Sequence, residues 1–247
     1  MKLKLLVAAF GVVASGFALA DSYQAEVNGQ ATRFDTDGIS SKYESYAVGG
    51  SYYFNPVKTE NSPLSEAAYL GKNSNFFGAY SYTEGTAYTP KTNTYGAGVE
   101  VYIPESFLYV KAGVSRNSYE GNKDSDWFTT VGITPIDGLL ITTSYQHDAG
   151  YDANISAKYV TDIGNGQFIN VEATVADTDH AGTYKAIGGD YFIDRTFSVG
   201  AVIGDDDNGS SYTVRTRKFF SEQFSGELAY SDTDYGNAVT IGASVRF

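Results

Sequence analysis

The chain has no cysteine, two histidines, one methionine, one tryptophan and five prolines in 247 residues. Without cysteine there is no disulfide framework, no thiolate metal site and no cysteine nucleophile. Two histidines leave little for metal or imidazole chemistry, so no metal, cofactor or catalytic residue is assigned. Basic residues are scarce as well, 17 Lys and Arg against 29 Asp and Glu, for a formal net charge of -12. That balance excludes nucleic acid, which needs a basic footprint to neutralise phosphates. Beyond the first twenty residues no apolar run is long enough for a membrane helix.

What is present is strand material, with 21 Tyr, 15 Phe and 27 Gly alongside abundant Thr and Ser. The start, "MKLKLLVAAFGVVASGFALA", has a basic end at Lys2 and Lys4, an apolar stretch and the small-residue pattern Ala18-Leu19-Ala20. It reads as a cleavable secretory signal over 1–20. From residue 21 onward, apolar and polar residues alternate. Val99 and Val101 oppose Gly98 and Glu100, Ile169 and Val171 oppose Asn170 and Glu172, and Ile241, Val245 and Phe247 oppose Gly242 and Arg246.

A soluble sandwich and a membrane barrel share that alternation. Three features favour the barrel. Acidic, Gly-rich connections take turns with tight apolar-flanked ones, as outer loops and periplasmic turns do. Aromatics crowd the tight-turn ends (Tyr53, Phe54, Phe76, Phe77, Phe107, Phe192, Phe197, Phe219, Phe220, Phe224), as an interfacial girdle requires. Charges sit at mid-strand, which a packed sandwich core would not accept cheaply. Strands are expected near 22–34, 43–54, 74–84, 92–104, 107–117, 126–134, 139–147, 153–161, 168–177, 183–193, 196–204, 211–220, 224–232 and 238–247. The fold class is therefore an all-β, transmembrane antiparallel barrel over 21–247 with about fourteen strands, or twelve if the weak hairpin near 139–161 is miscounted. An even number is what is expected when both termini lie on the periplasmic side. Tyr23, Val27, Val99, Val171, Val199 and Ile241 should face lipid.

The ending Gly242, Val245, Phe247 has the spacing of a C-terminal signal read by the outer-membrane assembly machinery. The segment "YYFNPVKTENSPLSEAAYLGKNSNFFGAYSYTE", with the start "YQAEVNGQATRF" and the end "IGASVRF", resembles the putative-porin family of Gram-negative outer membranes. That resemblance implies a monomeric or loosely associated fourteen-stranded channel for small hydrophilic solutes. This chain differs in having short outer loops, none long enough to fold inward. Its longest irregular segment, near 55–73, falls on the periplasmic side. There "PLSEAAYL" suits one helical turn, with Ser62 as N-cap, Pro63 first in the turn and Gly71 as stop. The segment reads as a packed turn shielding the barrel base, with a plug or partner-docking element as the functional alternative.

Candidate pore-lining residues follow from the alternation. Hairpin counting sets Glu100 against Lys111, Arg217 against Glu227 and Lys158 against Glu172. Glu26, Asp190, Arg215 and Arg246 have no evident partner, and Arg215, Arg217 and Arg246 should make one side of the lumen basic. An acidic rim of Asp35, Asp37, Asp124, Asp126, Asp148, Asp152, Asp177, Asp179, Asp205, Asp206, Asp207, Asp232 and Asp234 surrounds the outer mouth. "GDDDNGS" lacks the spacing of a calcium loop and reads as a solvated acidic turn, with divalent bridging to lipopolysaccharide as the sharper option. The expected function is passive diffusion of small hydrophilic solutes and ions with a modest cation preference. The alternatives are a receptor or adhesin barrel and, remotely, an omptin-like rim hydrolase built on His147-Asp148 and Asp177-x-Asp179-His180. Expected partners are outer-membrane lipid and lipopolysaccharide, the assembly machinery and the solutes.

Overall fold

The computed structural model describes residues 22–37, 42–85, 90–119, 122–147, 153–178, 182–207 and 209–247. Residues 1–20, expected as a signal, and Asp148, Asp152, Asp179 and His180 lie outside them. Fourteen strands form: β1 (Ser22–Thr36), β2 (Lys42–Lys58), β3 (Asn75–Thr83), β4 (Thr92–Tyr102), β5 (Leu108–Tyr119), β6 (Asn122–Ile133), β7 (Leu139–Gln146), β8 (Asn154–Gly164), β9 (Gln167–Thr178), β10 (Gly182–Asp194), β11 (Phe197–Asp206), β12 (Gly209–Ser221), β13 (Phe224–Thr233) and β14 (Gly236–Arg246). Each pairs antiparallel with its chain neighbours, and β1 pairs with β14 to close the barrel. Closure removes both sheet edges, which is why a terminal strand can end on an aromatic. The Phe247 carbonyl accepts the Gln24 N–H at 2.6 Å and its N–H donates to Ala25. The count is fourteen, not twelve. The doubtful hairpin is real but short, with β7 and β8 in register only from Leu139↔Tyr159 to Thr142↔Ser156.

The two-residue period sorts the side chains. Val114, Ile155, Ile187, Val199, Ile203, Val214, Leu228 and Ile241 are exposed on the outer surface. Ion pairs link residues on the alternate face, which is the lumen. At the end bearing the termini the turns are tight, apart from the long connection between β2 and β3. Asn165 and Gly166, both at positive φ (57° and 74°), make the hairpin turn between β8 and β9, for which Asn-Gly is suited. The opposite end, here the loop end, carries the acidic connections.

Two expectations about orientation need correction. Tyr23 does not face lipid; it is buried (6% exposed), edge-on to Tyr53 at 5.6 Å. The β1–β2 register jumps there, from Tyr23↔Val57 to Ala25↔Tyr52. A bulge resets the alternation and turns Tyr23 inward. The aromatic girdle is also only half as large as expected. Adjacent aromatics in one strand cannot share a face, so Phe54, Phe76 and Phe220 are exposed outside while Tyr53 and Phe219 are buried inside. Phe192 is buried as well.

These inward rings, with Val57, Leu64 and Ala67, are the hydrophobic core. It sits at the base of the lumen, beneath the segment between β2 and β3. That segment makes a 3-10 turn at Leu64–Glu66 and one turn of helix, α1 (Ala67–Leu70), ended by Gly71. Ser62 is not the N-cap. Pro63 occupies that position without a side-chain cap, its carbonyl accepting the Glu66 N–H at 3.0 Å, while the Ser62 carbonyl is taken by Arg195.

Candidate functional site in the barrel lumen

The segment between β2 and β3 reaches across the base. Its Leu64 N–H donates to the Arg195 carbonyl at 2.8 Å, in the turn between β10 and β11. The Arg195 guanidinium returns hydrogen bonds to the carbonyls of Ser62 (3.1 Å) and Thr59. Arg246 of β14 donates to the Leu64 carbonyl at 2.9 Å. Lys158 of β8 pairs with Glu66 at 2.8 Å, and the Tyr69 hydroxyl donates to the carbonyls of Gly138 (2.9 Å) and Lys158 (2.8 Å). β8 and β14 lie on well-separated parts of the ring, so a segment touching both spans the basal opening. Burial holds the Glu66 carboxyl above the usual carboxylate range, against the opposing pull of Lys158, and raises the Tyr69 phenol.

The residues without an expected partner are in fact paired. Glu26 and Arg246 are register partners across the closing seam, and their side chains bond. Arg246 is buried between the rings of Tyr23 (4.4 Å) and Phe219 (4.5 Å). Asp190 and Arg215 stand two strands apart, with Gly200 between them in register. Arg215 donates twice to that carboxylate, at 2.9 and 2.6 Å. A Cβ on Gly200 would lie 2.2 Å from Asp190 Oδ1, so the pair closes because that position is bare. Hairpin counting fails here because it compares only adjacent strands.

The expected pairs fare differently. Arg217 bonds Glu227, with Nε at 2.9 Å. Glu172 bridges Lys158 at 3.5 Å and Arg215 at 3.7 Å. Glu100 and Lys111 are register partners, but no ion pair closes between them among the described residues. The Lys111 amine instead sits over the Phe77 ring at 4.7 Å. Asn170, buried, donates to both Glu172 (2.8 Å) and Asp190 (3.1 Å), tying two carboxylates together. Lys158, Glu172, Asp190, Arg215, Arg217 and Glu227 surround a cavity of about 180 Å3 under Glu66. Four carboxylates face three cations there, so the expected basic side of the lumen is neutralised.

Glu66, Tyr69 and Arg195 were missed by pattern reading, because none lies in an alternating strand. A signal for Arg195 did exist. In "IDRTF" the turn is closed by Asp194, whose carboxylate accepts the Thr196 N–H and hydroxyl, both at 2.6 Å, leaving Arg195 free to reach elsewhere.

At the loop end, Asp205 accepts from the Ser210 hydroxyl (2.8 Å), Asp206 from the Gly209 N–H (3.1 Å) and Asp234 from the Ser210 N–H (3.0 Å). Asp126 accepts from the Trp127 N–H and the Gln146 amide, and Asp35 pairs with Lys42. Asp207 packs so closely on Gly182 that a Cβ there would lie 2.0 Å from its carboxylate. Asp124, Asp177 and Asp232 lie near the ends of their strands. Among described residues no cluster of three or more metal-ligating side chains forms. His147 lies 3.9 Å from Asp126 and against Trp127; the other residues of the hydrolase reading fall outside the described set, apart from Asp177. Gly242 and Val245 lie in β14, with Phe247 just after it.

The family described as "Putative general bacterial porin" matches residues 1–133 and 129–247. A crystal structure of the Acinetobacter baumannii outer membrane protein Omp33 is similar with a TM-score of 0.78 and 25% identity, covering 93% of this chain and 100% of that one. A structure described as a bacterial polysaccharide outer membrane secretin shares the fold alone, with a TM-score of 0.51 and 11% identity over 91% of this chain and 99% of that one. No curated protein matches the sequence.

Proposed function

We propose, for a chain that belongs to the general bacterial porin family and is an outer-membrane channel, that it conducts small hydrophilic solutes and ions with a preference for cations. One observation carries the proposal. Every arginine that reading the alternation placed in the lumen is neutralised: Arg215 by Asp190 and Glu172, Arg217 by Glu227, Arg246 by Glu26. A paired arginine contributes little net potential to the path, whereas the acids at the loop end act together on whatever enters.

The orientation that fits puts the termini and the basal segment on the periplasmic side. Residues 1–20 then act as the export signal, and Gly242, Val245 and Phe247 as the handle for the assembly machinery. In that orientation the 59–74 segment is a plug at the inner mouth, held by Arg195, Arg246, Lys158 and Tyr69. The charged groups around the lumen cavity are engaged in ion pairs, which suits a channel wall, and among the described residues none is set beside a nucleophile. The receptor reading gains nothing from outer connections as short as those between β5 and β6 or β11 and β12.

The test is the reversal potential of single channels in a planar bilayer under a salt gradient. Cation preference that fades at high salt is expected. Anion preference would overturn the proposal.

A further inference from the structure

The outer surface of the barrel treats its cations in two ways. Near the loop end three outward-facing cations stand opposite an acid in the adjoining strand. Arg33 faces Glu44, Lys42 bonds Asp35 and Lys185 faces Asp205. On β5 and β6 the pattern breaks. Arg116 is in register with Tyr95 and Ser125, and Lys123 with Ser118. The neighbouring acids Asp124 and Asp126 are in register with Asn117 and Ser115 on the lumen face, and Asp126 is already hydrogen-bonded. A third cation, Lys91, sits 5.3 Å over the ring of Tyr82, whose register partner is Asn93.

Two depressions meet at these cations. One, of about 460 Å3, is lined by Asn93, Tyr95, Arg116, Ser118 and Lys123. The other, also about 460 Å3, shares Tyr95 and Arg116 and continues over Ala97, Val114 and Trp127; Asp126 also lines it, but its side chain is on the lumen face and takes hydrogen bonds from Trp127 and Gln146. A guanidinium and an ammonium beside hydroxyl and amide donors form a donor set for phosphate. In a chain with net charge -12, two adjacent outward cations with no acid as register partner are a local exception. A free phosphate has no use for the adjoining apolar trough. A phosphorylated, acylated lipid uses both, and the trough lies on the lipid-facing wall with Tyr95 level with Arg116 and Trp127 one step nearer the base, where interfacial aromatics belong.

We infer that this groove binds lipopolysaccharide of the outer leaflet directly, with a lipid A phosphate on Arg116 and Lys123 and an acyl chain along Tyr95, Val114 and Trp127. Unlike bridging through the acidic loops, this contact needs no divalent cation. It rests on the orientation proposed above, with the loop end outward. Labelling of Ser210→Cys on intact cells by a membrane-impermeant thiol reagent tests that orientation independently. Binding in vesicles without labelling would mean that the groove is real but faces the other leaflet.

The full barrel, refolded into phosphatidylcholine vesicles containing lipid A, is the test system, with bound lipid A counted by native mass spectrometry. Arg116→Gln with Lys123→Gln should weaken lipid A binding by about tenfold or more, since each interfacial cation contributes appreciably. Lys185→Gln should leave it unchanged. Heat-modifiable migration on a gel verifies that each variant folds. Wild-type protein offered lipid A stripped of its phosphates should show the same loss, with no variant needed. Equal binding by the double variant and wild type would overturn the inference. So would binding that phosphatidylglycerol displaces as readily as lipid A, which would mark a generic anionic-lipid surface. Binding lost with EDTA but insensitive to the variants would assign the contact to divalent bridging instead.

Discussion

Charged residues at the two ends of this barrel live under different physics. At the base, Arg246 is buried between two rings, paired with Glu26 and bonded to the Leu64 carbonyl. At the loop end, Asp205, Asp206 and Asp234 accept hydrogen bonds from short turns while remaining near water. The same formal charge is a structural fastener in one place and part of a solvated field in the other. The difference is desolvation: a buried ion must keep its partners, whereas an exposed one can exchange them for water.

Arg246→Ala should break the basal end most severely. It leaves the Glu26 carboxylate and the Leu64 carbonyl without their donor and opens space between Tyr23 and Phe219. A loss of about 3–5 kcal/mol in denaturant midpoints is expected, with higher single-channel conductance as the basal segment loosens. An effect under about 1 kcal/mol would place Arg246 in the same regime as surface pairs.

Gly200→Ala comes next. Its Cβ would meet Asp190 Oδ1 at 2.2 Å and the Gly189 carbonyl at 2.6 Å. Parting Asp190 from Arg215 should cost about 1–3 kcal/mol. Gly96→Ala is the matched control. Its Cβ would meet nothing closer than the Val114 carbonyl at 3.8 Å, so a change within about 0.5 kcal/mol is expected. Equal effects at the two glycines would remove the argument that a bare position lets the pair close.

A smaller effect is expected from pH. Burial raises the Glu66 carboxyl even though Lys158 lowers it, and the other charged groups facing it, Asp190 and Glu172, add to the rise. The docked segment therefore binds this proton more tightly than a released one. Docking is strongest below the ordinary carboxylate range and weakens as pH rises through the raised value. Conductance should fall on acidification, and Glu66→Gln should flatten that response. Conductance that rises toward acid pH in the wild type would reverse the sign of this coupling.

Asp205, Asp206 and Asp207 changed together to Asn should have the least effect on stability, within about 0.5 kcal/mol. The reversal potential should still move toward anions at low salt, and the shift should shrink as the screening length falls below about 8 Å. No shift at any salt would mean that the loop-end acids serve only as turn acceptors.

Much of the architecture was legible in the chain because strand alternation is local. A period of two, read over ten residues, locates a strand and assigns its faces without knowledge of its neighbours. The strands near 92–104, 168–177 and 238–247 are therefore legible together with the alternation of their two faces. The family match over both halves of the chain agrees with that reading.

What only the tertiary structure decided involves more than one neighbour at a time. Asp190 reaches Arg215 across a third strand. Arg246 finds Glu26 across a sequence separation of 220, and the β1–β2 bulge turns Tyr23 inward against its own alternation. The basal segment has no periodicity, so its docking depends on Arg195, Lys158 and Arg246, which arrive from distant strands. Alternation states which face a side chain takes. Whether a charge on that face is free or neutralised depends on which strands curve within reach and how much water they exclude, and both exist only once the barrel has closed.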